Sequence, residues 1–180
     1  VIAAPLRTRR WTWRISGETI MLALLAGVAG SAQAQTGANP LIGTWQVVSR
    51  IDRDSAGRAF TEPTLGQHPD GYLIYDAAGH VAAQLMAPDR PAHTCGAIGT
   101  SDINNSTYIC GYDAYFGRYE IDSVTATVVH ILDGALAPGD VGRRLTRRFR
   151  VAGDTLTIQF EVRGPSGPLT RTVVWHRISP

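Results

Sequence analysis

From residue 41 onward, apolar side chains recur at every second position in short runs, and glycine, proline or aspartate interrupts each run. Such alternation places one face of a β-strand against a core and leaves the other in water. It predicts strands over 44–51, 72–75, 80–86, 115–122, 125–132, 144–151, 155–162 and 170–178. The segments 76–79, 153–154 and 164–167 are hairpin turns, because Gly and Asp supply the positive φ that such turns require. Strands joined by hairpins run antiparallel. Eight in meander order form an all-β up-and-down barrel with no exposed edge and room for one small ligand.

Two longer connections, 52–69 and 88–111, break the series. Loops of this length in a compact domain are usually functional or mobile, and at a barrel mouth they would make lids.

The first 34 residues have a different character. Arg7, Arg9, Arg10 and Arg14 precede an uncharged apolar run over 20–30, and Ala32-Gln33-Ala34 offers a small-x-small cleavage site. This is the pattern of a Sec-type signal peptide cut after Ala34, leaving residues 35–180 as the barrel domain in the periplasm or secreted. The apolar run is about half the ~20 residues that a spanning helix needs, so no membrane span is expected in the mature chain.

Charge excludes some partners. Of 17 basic residues, all arginines, four lie in the first 34 positions with one of the 15 acids, so the rest is close to neutral. A near-neutral body has no general attraction for nucleic acid or anionic lipid. Without lysine there is no Schiff-base chemistry on a lysine. There is also no Gly-x-Ser-x-Gly elbow, no His-Glu-x-x-His and no glycine-rich phosphate loop. His68, His80, His93, His130 and His176 are scattered, so neither a metal nor a cofactor is expected. Cys95 and Cys110 share one loop, and in an exported chain this reads as a disulfide worth about 3 kcal/mol on the chain-entropy account.

Alternation also nominates inward faces. Trp45, Val47, Ser49 and Ile51 share one; Leu145, Arg147, Phe149 and Val151 a second; Leu156, Ile158, Phe160 and Val162 a third; Tyr115, Gly117, Tyr119 and Ile121 a fourth. A bulge would exchange the faces of a strand. Arg147 thus falls on an apolar stripe, where a guanidinium needs either a carboxylate or an anionic ligand to offset burial, unless it sits at the rim and reaches water. Tyr115, Tyr119, His130 and Phe149 join it as candidate ligand-binding residues, with no catalytic residue assigned. A buried Tyr usually satisfies itself on a carbonyl, and a lone His is usually a hydrogen-bonded wall residue.

Several segments together resemble one family. Leu41-Ile42-Gly43-Thr44-Trp45, Asp70-Gly71-Tyr72-Leu73-Ile74-Tyr75, the run Ala83 to Pro91, Ala114-Tyr115-Phe116-Gly117-Arg118-Tyr119-Glu120 and the closing Trp175-His176-Arg177 are similar to the lipocalin-like domain family of the calycin superfamily, over about residues 41–178. The resemblance implies a small barrel that binds an apolar or amphipathic molecule. It also implies that Trp45 packs at the closed end beneath Arg177, a structural pair.

The expected function is sequestration of a small apolar or amphipathic compound, one form of which is an acid whose carboxylate meets Arg147. Two alternatives are a cyclase or isomerase that uses the cavity as a shaped site with His130 or Tyr119 as acid or base, and a structural barrel with a filled interior.

Overall fold

Strand pairing follows chain order around a closed ring. In the computed structural model, residues 39–90 and 104–180 are described, all within the unit Thr36–Pro180. The expected signal segment with its cleavage after Ala34, and Cys95, lie outside the described residues.

The strands are β1 (Gly43–Arg53), β2 (Ala59–Phe60), β3 (Asp70–Tyr75), β4 (His80–Met86), β5 (Tyr112–Asp122), β6 (Thr127–Ala135), β7 (Arg144–Ala152), β8 (Thr155–Gly164) and β9 (Gly167–Ser179). Each pairs antiparallel with the next, except that β1 pairs with β3, and β2 only doubles back on the end of β1. β9 returns to β1 over a long register from Thr44↔Ser179 to Arg53↔Thr170, which closes an eight-stranded barrel. A single 3₁₀ turn, Pro138–Asp140, lies between β6 and β7.

The two ends differ. The connections 76–79, 123–126 and 153–154 are tight and gather at one end, where Gly79 and Gly153 take the left-handed φ of 91° and 57° that their turns need. Asp76 and Asp122 fold their carboxylates back onto backbone N–H groups of these turns, at Ala78, His80, Val124 and Thr125. All the long connections fall at the opposite end, the mouth.

The lower lumen is apolar. Leu41, Trp45, Val47, Val128 and Leu156 are buried there in one cluster. The inward sets of β5, β7 and β8 follow the sequence alternation, while Arg144, Arg148 and Arg150 face water.

β1 departs from its expected pattern. A register shift between Val47 and Ser49 inserts one extra residue, and beyond it the buried positions are Arg50 and Asp52 instead of Ser49 and Ile51. This is the effect of a β-bulge, which reverses the sense of alternation downstream. Its consequence is large: two charged side chains enter the barrel near the mouth. A second shift, between Phe116 and Gly117 on β5, depends on glycine, because a Cβ at Gly117 would lie 2.0 Å from the Ile131 carbonyl oxygen. β5 also begins three residues earlier than its alternation suggests, which brings Asp113 inside.

Candidate functional site: a polar cluster in the upper lumen

At mid-height His130 of β6 stands between two phenols. Its Nε2 is 2.7 Å from the Tyr75 hydroxyl on β3, and its Nδ1 is 2.9 Å from the Tyr115 hydroxyl on β5. Burial, reinforced by the positive charge of Arg147, holds the imidazole well below its ordinary pKa, so it is neutral. A neutral ring offers one donor and one acceptor, so one phenol donates to it while the other accepts. Burial pushes Tyr115 up to about 12 and holds Tyr75 well above its ordinary value. All three groups are neutral, so the triad is a donor–acceptor chain that moves no proton and carries no charge without an incoming partner.

Above it lies Arg147, 3% exposed on β7. Its Nη1 donates to the side-chain oxygen of Asn104 at 3.0 Å and to the Asn104 carbonyl, and its guanidinium carbon sits 3.7 Å from the Phe160 ring centroid. Among the described residues no carboxylate lies within ion-pairing distance of it. Burial lowers its pKa, yet a guanidinium keeps its proton in proteins.

Two further arginines reach inward and are paired. Arg171 of β9 makes a two-pronged bond to Asp52, at 2.7 and 2.6 Å, with both side chains about 95% buried. Arg50 binds Glu62 at 2.9 Å. Burial opposes the charge on Glu62, but the bonds from Thr64 and Leu65 and the nearby Arg50 prevail and its pKa ends below normal.

The segment 104–108 crosses the mouth, and Asn105, Ser106, Thr107 and Tyr108 are all buried. It is held by side chains more than by a ladder. Asn104 exchanges two 2.7 Å bonds with the backbone of Thr146, Thr107 N–H donates to Asp140 at 2.6 Å, and the Ser106 hydroxyl donates to Asp113 at 2.6 Å. The Tyr108 oxygen accepts from Arg50 at 2.6 Å, and also from Arg171 and Asn105.

Beneath this stopper is a cavity of about 40 Å³. That is space for a few waters, roughly a tenth of what a drug-sized ligand occupies. Arg147, Asp113, Tyr115 and His130 line it with Leu73, Ala83, Ile158, Val173 and Trp175. Two lining atoms, Asp113 Oδ1 and Trp175 Nε1, are buried with no protein partner. Burial raises the Asp113 pKa to about 6 against the bond from Ser106 and the charges of Arg50 and Arg147.

Of the residues expected at a ligand site, the structure brings Arg147, Tyr115 and His130 together on this cavity. It places Tyr119 and Phe149 off it. Tyr119 lies toward the closed end and donates to the Asp76 carbonyl at 2.9 Å while accepting from Asn39 at 2.7 Å; Phe149 is half-buried beside the core. Tyr75, Tyr108, Asp113, Arg50 and Arg171 also line this region without having been singled out from the sequence. Tyr75, Asp113 and Arg171 share the period-two faces of Leu73, Tyr115 and Val173, which could have marked them, whereas Arg50 turns inward through the bulge and Tyr108 lies in a segment with no period. Cys110 takes a left-handed φ of 57° at the turn into β5.

At the closed end the Arg177 guanidinium carbon lies 4.0 Å from the Trp45 ring centroid. The indole N–H donates to the Leu41 carbonyl at 2.8 Å, and Arg177 donates to the carbonyls of Ile42 and Pro40. Among the described residues no helix is long and apolar enough to cross a membrane, and no group of three or more His, Cys, Asp or Glu could hold a metal ion.

Comparison with curated proteins and with solved structures yields no match. A family model described as a lipocalin-like domain matches residues 42–178, from the strand that carries Trp45 through the strand that carries Arg177. With that span covering nearly all of a closed eight-stranded meander whose first and last strands meet through Trp45 and Arg177, the chain belongs to the lipocalin-like domain family.

Proposed function

We propose that the protein is an exported binding protein whose barrel takes up a small amphipathic molecule. The polar head meets Arg147, and the apolar part lies among Leu73, Ile158, Val173 and Trp175. The observation that carries this reading is Arg147 itself, a buried guanidinium facing a cavity and making no ion pair among the described residues. Buried charges are ordinarily paired, and a ligand carboxylate would supply the pair. The unpartnered Trp175 Nε1 on the same cavity supports it as a donor to that head, since buried polar atoms are seldom left unbonded.

The test is fluorescence titration with 11-(dansylamino)undecanoic acid and its neutral methyl ester. One acid per chain should bind, and Arg147→Met should weaken it about tenfold or more, the worth of one hydrogen bond to a charged group. The ester should be nearly indifferent to the substitution. Equal loss for acid and ester would remove the anionic head from the reading.

The small cavity favours a second reading, a structural barrel with a filled interior. On that reading neither probe binds. Export with cleavage after Ala34 and a Cys95–Cys110 disulfide complete the proposal. Both rest on the residue pattern, and the intact mass of the exported protein before and after reduction tests them.

A further inference from the structure

Tyr108 has the bonding of a ligand more than of a core residue. Three N–H groups, from Arg50, Arg171 and Asn105, converge on its one hydroxyl oxygen, and the Arg50 guanidinium carbon lies 5.3 Å from its ring centroid. The two arginines do not depend on Tyr108 for their position. Glu62 fixes Arg50, and Asp52 fixes Arg171 with two bonds. Both guanidinium groups stand on barrel strands, β1 and β9, whereas Tyr108 stands on a segment attached through a few side-chain contacts. If Tyr108 withdrew, the oxygen site would remain.

Its place in the molecule adds the second observation. Asn105 and Tyr108 line the inner cavity, and the same two residues line an outer cleft of about 380 Å³ at the mouth, whose wall includes Phe60, Glu62, Leu169 and Arg171. They are therefore the partition between the two spaces. Joined, these spaces reach the range of about 300–1,000 Å³ typical of small-molecule sites.

The chemistry of the vacated position is specific. Each arginine already has its carboxylate, so the site calls for an oxygen acceptor on an aromatic ring and not for another negative charge. We propose that the Arg50–Arg171 pair is a receptor for a phenolic hydroxyl, filled in this structure by the chain's own Tyr108, and that a phenolic ligand replacing Tyr108 merges cleft and cavity into one chamber. The inference rests on the reading of the barrel as a binding protein and names the ring chemistry of its ligand at the mouth.

The experiment uses Tyr108→Gly, which deletes the side chain that p-cresol reproduces. Calorimetric titration of the folded variant should show one p-cresol site, at least tenfold tighter than toluene or p-toluate and at least tenfold tighter than in the wild type. Equal affinity for p-cresol and toluene would mean an apolar hole without oxygen recognition, and would overturn the proposal; so would a preference for p-toluate. In Tyr108→Phe, which keeps the ring and removes the oxygen, the association rate of 11-(dansylamino)undecanoic acid should rise at least tenfold. An unchanged rate would overturn the gating role, and this arm stands even if the glycine variant does not fold. If the dansyl acid enters no variant while p-cresol still binds, the lumen reading fails and the phenol site survives. If p-cresol fails while the dansyl acid binds, the reverse holds.

Discussion

Arg177 sits over the Trp45 ring at the closed end of the barrel, guanidinium carbon to ring centroid 4.0 Å, although they are 132 positions apart in the chain. The contact joins the first and last strands where the ring closes, at the pair Trp45↔Arg177. Gly43 makes room for it. A Cβ there would sit 2.8 Å from Arg177 Nη1 and 2.6 Å from the Ser179 carbonyl oxygen, at a φ of +132° that other residues rarely take.

Removing this clasp should cost stability and spare binding. Trp45 is fully buried, so Trp45→Ala should lose about 3–5 kcal/mol in urea unfolding. Arg177→Ala should lose about 1–2 kcal/mol from its stacking and its carbonyl bonds. Dansyl-acid affinity of folded Arg177→Ala should match the wild type, because neither residue lines the cavity.

The Asp52–Arg171 pair should behave as a buried ion pair does. Asp52→Asn leaves a guanidinium uncompensated and should destabilise by about 3–5 kcal/mol. The double variant Asp52→Leu/Arg171→Met should cost less than Asp52→Asn alone. A double-mutant cycle by urea unfolding measures both.

Asp113 and His130 should tilt stability with pH in opposite senses. Folding raises the Asp113 pKa from 3.8 to about 6, so its contribution is fully present below pH 3.8 and is lost as pH rises to 6, about 3 kcal/mol in all. Folding lowers the His130 pKa, so its contribution is full above about 6.5 and is lost as pH falls below that value. Asp113→Asn should therefore gain stability relative to wild type on going from pH 4 to pH 7. His130→Gln should lack the decline below pH 6.5. Unfolding free energies across pH 4–8 for the three proteins decide this.

Two glycine substitutions should separate close approach from mere flexibility. Gly117→Ala forces a methyl against the Ile131 carbonyl at the bulge, and should cost about 1–3 kcal/mol. Gly139→Ala meets nothing within 4 Å and should be close to neutral, as thermal melts would register.

What was legible in the chain was whatever is local. Alternation on β5, β7 and β8 marked the buried faces, and Asp76-Ala77-Ala78-Gly79 marked a turn, because each depends on neighbours in sequence. The upper lumen was not local. Arg171 meets Asp52 across 119 positions, and Tyr75 meets His130 across 55, through closure of the ring. Tyr108 lies in a stretch with no period, so its burial follows from where 104–108 lands and not from its own pattern. Arg147 was visible as a charge on an apolar stripe, but not its carbonyl and amide partners on Asn104.

The bulge beside Val48 carries a lesson about how such a barrel could be retuned on its outside. Excising that one residue would restore strict alternation with Arg50 and Asp52 still turned inward, because Ser49 already pairs with Val174 directly after the Val47–Trp175 pair. The surplus position lies wholly on the outer wall. Slippage by a single codon at this point, ordinarily ruinous within a strand, would alter the exterior of the cylinder and leave its contents as they are.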